Sequence, residues 1–146
     1  MSTKFKIAHK LNKKWRSADV ALDDNLFENL MLKEEILKGL AKCGFVKPSP
    51  IQLEAIPLGR CGLDLVIQSK SGTGKTCVYA ITALETLLES NCPQVLILCP
   101  TREIAFQVQE VITSIGCFIK NLSCKLVTGG SKLEKDNKSL KNCKIG

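Results

Sequence analysis

Eight consecutive residues, Ser69-Lys70-Ser71-Gly72-Thr73-Gly74-Lys75-Thr76, carry the most legible chemistry of this chain. The apolar run Leu65-Val66-Ile67 precedes them, and an apolar-periodic segment over 78–88 follows. A glycine-rich loop between a strand and a helix is suited to wrapping a nucleotide phosphate. Gly72 and Gly74 admit backbone turns that are closed to residues with a Cβ. Successive N–H groups can then point inward at phosphate oxygens, and the helix N-terminus adds the positive end of its dipole. In such a loop Lys75 reaches the β- and γ-phosphates, and the Thr76 hydroxyl ligates Mg2+. Ser69 stands where the general pattern G-x-x-x-x-G-K-[ST] has its first glycine. The plain alternative is a glycine-rich turn that only starts a helix. The apolar context on both sides favours the phosphate cradle.

Other side chains exclude chemistry. The eight cysteines stand at 43, 61, 77, 92, 99, 117, 124 and 143, no two in C-x-x-C spacing, and His9 is the only histidine. A zinc site is therefore not expected. Cys77, Cys99 and Cys117 lie in apolar runs, where a free thiol behaves as a small hydrophobe. Reduced thiols fit a protein of the cytoplasm or nucleus. The N-terminus has no secretory apolar region and no run approaches membrane-span length, so no membrane association is expected.

Elements that would position the loop can be placed from periodicity and punctuation. A first helix is expected over 33–43, with Ile36, Leu37 and Leu40 on one face and Gly44 as its left-handed stop. Ser49 suits an N-cap, Pro50 the first helical position, and Gln52 the third residue of a capping box, so a short helix should run to about Ile56. Strands are expected over 65–68, 95–99 and 125–128, and helices over 75–88 and 102–115. The second of these helices has Ile104, Val108, Val111, Ile112 and Ile115 on one face. Ser131, with Glu134 at capping-box spacing, opens a last helix to about Lys141, and 142–145 could begin a fourth strand. Strands alternating with helices imply an α/β fold, a parallel sheet with helices on both faces. Right-handed crossovers place the loops after the strands along one edge, where ligands bind.

With 146 residues the chain suffices for one domain with a core. A net charge of +7 points to an anionic partner such as nucleotide or nucleic acid. Six basic residues crowd the first sixteen positions, from Lys4 to Arg16, so residues 1–23 read as a basic extension. A charge run of this kind is most often a solvated tail.

Four segments, in order, resemble the DEAD-box RNA helicases. The stretch Gly44-Phe45-Val46-Lys47-Pro48-Ser49-Pro50-Ile51-Gln52 is similar to that family's Q motif, with Phe27 at the spacing of its isolated upstream aromatic. Residues 69–76 resemble motif I, Pro100-Thr101-Arg102-Glu103-Ile104-Ala105 resembles motif Ia with Ile for Leu, and Gly129-Gly130 resembles the following GG doublet. The run 57–65 and the Lys70-Ser71 variant of the loop are similar to the family member of the survival-motor-neuron complex. The resemblance implies a RecA-like P-loop NTPase domain over 24–146, cut before its C-terminal part, with 25–53 as the Q-motif region and 56–146 as the start of the ATP-binding domain. It implies ATP and Mg2+ as cofactors, RNA as a partner held by sequence-tolerant backbone contacts, and protein partners in a ribonucleoprotein-assembly complex.

Site residues follow by position. Gln52 would read adenine, since a carboxamide offers one donor and one acceptor to N6 and N7, where guanine presents two acceptors. As a capping-box residue alone it would only bond back to Ser49. Phe27 and Lys47 would pack on the base, though Phe27 also reads as an ordinary core aromatic. Ser69, Lys70, Ser71, Gly72, Thr73, Gly74, Lys75 and Thr76 would hold the phosphates, with Lys75 and Thr76 serving catalysis. Thr101, Arg102, Gly129 and Gly130 would contact the RNA backbone. The alternatives are an Arg102 ion pair with Glu103 and a plain glycine turn. No D-E-A-D tetrapeptide occurs. Hydrolysis needs its carboxylates, so the chain reads as the first part of a longer enzyme and as inactive alone. The rival reading is a non-enzymatic module that binds nucleotide, RNA or protein. A P-loop kinase or GTPase would have no reason to carry the Gln52 segment beside Pro100–Ala105.

Overall fold

A computed structural model describes residues 26–90, 92–130, 136, 140, 141, 143 and 145. The basic extension lies outside the described residues, as does the helix expected over 131–141 apart from three positions.

A single 3-10 turn, Phe27–Leu30, leads into α1 (Glu34–Lys42), followed by α2 (Pro50–Arg60), α3 (Lys75–Thr86) and α4 (Arg102–Ile115). Helix α1 has Glu34 and Glu35 in its first turn and Lys42 in its last, the charge order its dipole favours. Helix α2 runs past Ile56 to Arg60, with Pro57 inside it. Pro57 cannot donate to the carbonyl four residues back. The added turn instead packs on α3, where a Cβ built on Gly59 would meet the Thr82 side chain at 2.7 Å. Helix α3 stops at Thr86, two residues short of expectation, and α4 has the expected bounds. Ile104, expected on the inner face of α4, is exposed because the first turn projects beyond the core.

The core gathers Phe27, Ile36, Leu40, Ile56, Ile81, Leu84, Ile112 and Ile115 from α1, α2, α3, α4 and the leading turn. Burying side chains such as Ile81 and Leu84 completely is worth about 1.5–3 kcal/mol each. Helices α1 and α4 touch backbone to backbone, because a Cβ on Gly39 would sit 1.7 Å from the Ile115 carbonyl oxygen. Glu85 ties three elements together. It accepts from the Lys33 backbone N–H at 2.6 Å and pairs with Arg60 Nε at 3.3 Å, its side chain only 7% exposed. Arg60 also donates to the Leu30 carbonyl at 2.6 Å.

Strands were expected over 65–68, 95–99 and 125–128, but the runs 63–70, 96–99 and 125–128 carry no strand assignment. Among the described residues, strand pairing is confined to two parallel bridges, from Ile145 to Val95 and from Ile145 to Cys124. Lys125 donates to the Ile145 carbonyl at 2.8 Å and Ile145 to the Ser123 carbonyl at 3.1 Å. Ile145 thus lies between Val95 and Cys124. Exposure alternates with the strand period of two. Ile67, Val95, Ile97 and Cys99 pack toward the helices, whereas Val66, Leu96 and Leu98 are 102%, 74% and 86% exposed.

Candidate nucleotide-binding site

The loop joining the first of these runs to α3 is shaped by its glycines. Gly74, the N-cap of α3, has φ +94°, and a Cβ there would lie 2.4 Å from Gln52 Nε2. Gly72 has φ +81°. No residue with a side chain could replace Gly74 without moving Gln52, so the tight turn and the close approach are one requirement.

Gln52 is 4% exposed and works in two directions. Its Oε1 accepts from the Ser49 backbone N–H at 2.8 Å, completing the capping box of α2. Its Nε2 donates to the Gly74 carbonyl at 3.2 Å. Ser49 Oγ donates to the Thr73 carbonyl at 2.8 Å. The start of α2 is therefore bolted to the loop before α3 by two hydrogen bonds. Each polar atom of the Gln52 carboxamide keeps capacity for one more bond, an N–H and a lone pair. The capping-box spacing announced the Ser49 bond; nothing in the sequence announced the loop bonds.

Within the loop, Lys75 Nζ donates to the carbonyls of Ser69 and Lys70, both at 2.7 Å, and faces Ser69 Oγ at 3.5 Å. Thr73 Oγ1 donates to the Lys70 carbonyl at 2.9 Å and touches Ser69 Oγ. Ser71 is exposed, and Thr76 is half-buried in the first turn of α3. Thr76 offers one hydroxyl, and the described residues hold no cluster of three His, Cys, Asp or Glu side chains able to bind a metal. Mg2+ at Thr76 would need phosphate oxygens and water for its remaining ligands, which is its usual coordination.

Phe27 is 3% exposed within the core cluster, and Lys47 is half-buried in the segment before α2. On the edge beyond the second extended run, Thr101 caps α4, its side chain accepting from the Ile104 N–H at 3.3 Å. Arg102 Nη2 donates to the Gly129 carbonyl rather than pairing with Glu103. Among the described residues, a Cβ added at Gly129 or Gly130 would approach the Arg102 guanidinium, at 3.7 and 3.6 Å. Arg102, Gly129 and Gly130 thus share one exposed edge. The Glu103 carboxyl is held below its usual range by its own backbone N–H and then by the Thr101 hydroxyl.

All eight cysteines are free thiols. Burial pushes Cys77 up to about 12 and Cys124 to about 11, with smaller contributions from Cys43 and Cys143 respectively. No helix among the described residues is long and apolar enough to cross a membrane.

The chain is 53% identical over 132 residues to a protein of Mus musculus named probable ATP-dependent RNA helicase DDX20, covering 89% of this chain and 16% of the mouse protein. DDX20, or Gemin3, is the family member that 57–65 and Lys70-Ser71 resemble. A solved DEAD box protein from the hyperthermophile Methanococcus jannaschii superposes with a TM-score of 0.77 at 38% identity, over 82% of this chain and 33% of that one. Dbp5 of S. cerevisiae, solved bound to RNA and ADP BeF3, superposes with a TM-score of 0.69 at 33% identity, over 83% of this chain and 31% of that one. The chain therefore spans a third or less of the length of each of these relatives. Its helices and loop edge follow the fold of helicase domains, and the profile of the DEAD/DEAH box helicase family matches residues 49–146. The chain belongs to the DEAD/DEAH box helicase family.

Proposed function

We propose that this chain is the adenine-, phosphate- and RNA-contacting front part of an ATP-dependent RNA helicase. The observation that carries the reading is the Gln52–Gly74 bond, which joins two segments 22 residues apart into one surface. A base reader and a phosphate cradle must be held at fixed separation to recognise one nucleotide, and this bond holds them. In this reading the spare N–H and lone pair of Gln52 select adenine, with Phe27 and Lys47 bounding the base. Residues 69–76 take the triphosphate, and Thr76 supplies one ligand to Mg2+. Thr101, Arg102, Gly129 and Gly130 grip the RNA sugar-phosphate backbone, so binding is sequence-tolerant and salt-sensitive. Its extended runs are strands of a parallel sheet with helices on both faces, within a RecA-like domain over 24–146. In the whole protein, closure of two such domains around ATP bends one RNA strand and melts short duplexes, and hydrolysis releases it. The similarity to DDX20 supports a place among protein partners of a ribonucleoprotein-assembly complex, in cytoplasm or nucleus.

The test is ATP turnover by the intact protein with Lys75→Ala. Turnover should vanish while circular dichroism and melting stay as in the wild type. Unchanged turnover would remove the loop from the mechanism.

A further inference from the structure

Helices α2 and α3 meet at three places, in the same order along both. At their N-terminal ends Gln52 donates to the Gly74 carbonyl at 3.2 Å. Further along, Gly59 lies so close to Thr82 that an added Cβ would sit 2.7 Å from the hydroxyl oxygen. At their C-terminal ends Arg60 Nε pairs with Glu85 Oε2 at 3.3 Å. The two helices therefore run parallel, and both begin at the loop over 69–76.

The fastening at the C-terminal ends takes in more than one ion pair. The Glu85 side chain is only 7% exposed, and its other oxygen accepts from the Lys33 backbone N–H at 2.6 Å. Arg60 Nη1 donates to the Leu30 carbonyl at 2.6 Å. Lys33 Nζ donates to the carbonyls of Glu85 and Leu87 at 2.7 and 3.0 Å. Lys33 and Arg60 thus place positive charge where the carbonyl ends of α2 and α3 carry the negative end of their dipoles. One carboxylate holds the segment leading into α1, the end of α2 and the end of α3 together.

We propose that Glu85 is a positioning residue for nucleotide recognition: by holding Arg60 it fixes the tilt of α2 on α3, and with it the distance from Gln52 to the loop over 69–76. The proposal rests on the reading of Gln52 as the base contact and of the loop as the phosphate site. Gly59 against Thr82 is the point about which α2 can turn. Arg60 stands next to that point, whereas Gln52 lies about 10 Å along the axis. A small rotation therefore displaces Gln52 most, and the ion pair holds the short arm of the lever. The clamp matters to a ligand that carries both a base and phosphates. Inorganic tripolyphosphate has no base and is indifferent to the tilt.

The experiment is calorimetric titration of the intact protein with ATP and, separately, with inorganic tripolyphosphate. Wild type, Glu85→Gln, Arg60→Gln, the double variant and Lys75→Ala are compared below their melting temperatures. Glu85→Gln keeps an oxygen for the Lys33 N–H, and Arg60, 31% exposed, can turn its guanidinium to water. Each single variant should bind ATP about three- to tenfold more weakly. The double variant should lose no more than either single one, because one pair is broken in all three. Tripolyphosphate affinity should not change. A merely structural role would weaken both ligands alike or move only the melting temperature. Unchanged ATP affinity, equal loss for both ligands, or additive losses in the double variant overturns the clamp. Lys75→Ala binding both ligands as tightly as wild type overturns the phosphate site, and the clamp with it.

Discussion

Lys75 and Arg102 are both cations at the first position of a helix that follows an extended apolar run, yet the fold treats them differently. Lys75 is half-buried, and its partners, Ser69 and Lys70, lie six and five residues back in the same loop. Arg102 is exposed, and its partner, the Gly129 carbonyl, lies 27 residues further on. A local motif folds its chemistry into itself. A binding edge assembled from distant segments stays open until the chain brings its halves together. The loop over 69–76 should therefore be sensitive to backbone changes, and the Arg102 edge to charge and salt.

The sharpest way to break this contrast is Gly74→Ala. The substitution forces a side chain into a left-handed conformation, a strain of about 1–3 kcal/mol. It also drives a methyl into Gln52 Nε2. Nucleotide binding should be lost in titration, while a substitution at Gly129, whose Cβ would meet nothing closer than 3.7 Å among the described residues, should leave it intact. Next comes Gln52→Ala, which leaves the Ser49 N–H and the Gly74 carbonyl without their partner. Urea unfolding should register a loss of about 1–3 kcal/mol, and competition binding should lose any preference for ATP over GTP. A preference that survives would reduce Gln52 to a brace between α2 and the loop. Arg102→Ala should weaken RNA binding evenly across sequences and lower the salt slope by about 1. Its melting temperature should not move. A change in stability there would mean the edge is structural after all.

The smallest effect extends the contrast to the thiols. Cys77, one turn into α3, is buried, while Cys117, just past α4, is exposed. Iodoacetamide at pH 8 should label Cys61, Cys92 and Cys117 first and spare Cys77. Because burial raises the folded-state values of Cys77 and Cys124 above those of the unfolded chain, their contribution to stability is complete below the ordinary thiol range. It should fade as pH rises toward 11–12.

The bounds of helix α4 were legible because its apolar period acts within one segment, although Ile104 on the expected inner face is exposed and the Thr101 cap was not foreseen. Helix α2 was only half legible. Pro57 argues for a stop, and the packing of Gly59 on Thr82 that carries the helix onward involves a residue 23 positions away. The Glu85 hub had no sequence signal at all, since a glutamate at the end of an apolar helix reads as solvated until Lys33 and Arg60 are seen beside it. The apolar runs suggested strands over 65–68, 95–99 and 125–128, yet pairing among the described residues is limited to the bridges of Ile145 with Val95 and Cys124, which periodicity does not encode. At the site, Ser69 stood out as an irregularity. What its hydroxyl does depends on where Thr73 and Lys75 send their protons, which spacing cannot show.

Gly39 and Gly74 are both intolerant of a side chain, but for separable reasons. At Gly74 the added carbon strikes the Gln52 side chain, and at Gly39 it strikes the backbone of α4 at Ile115. To someone interpreting sequence variants, the two glycines would look alike in any tolerance score. Their carriers would differ: a change at Gly39 should lower the amount of protein in the cell, and a change at Gly74 should leave abundant protein that no longer responds to nucleotide.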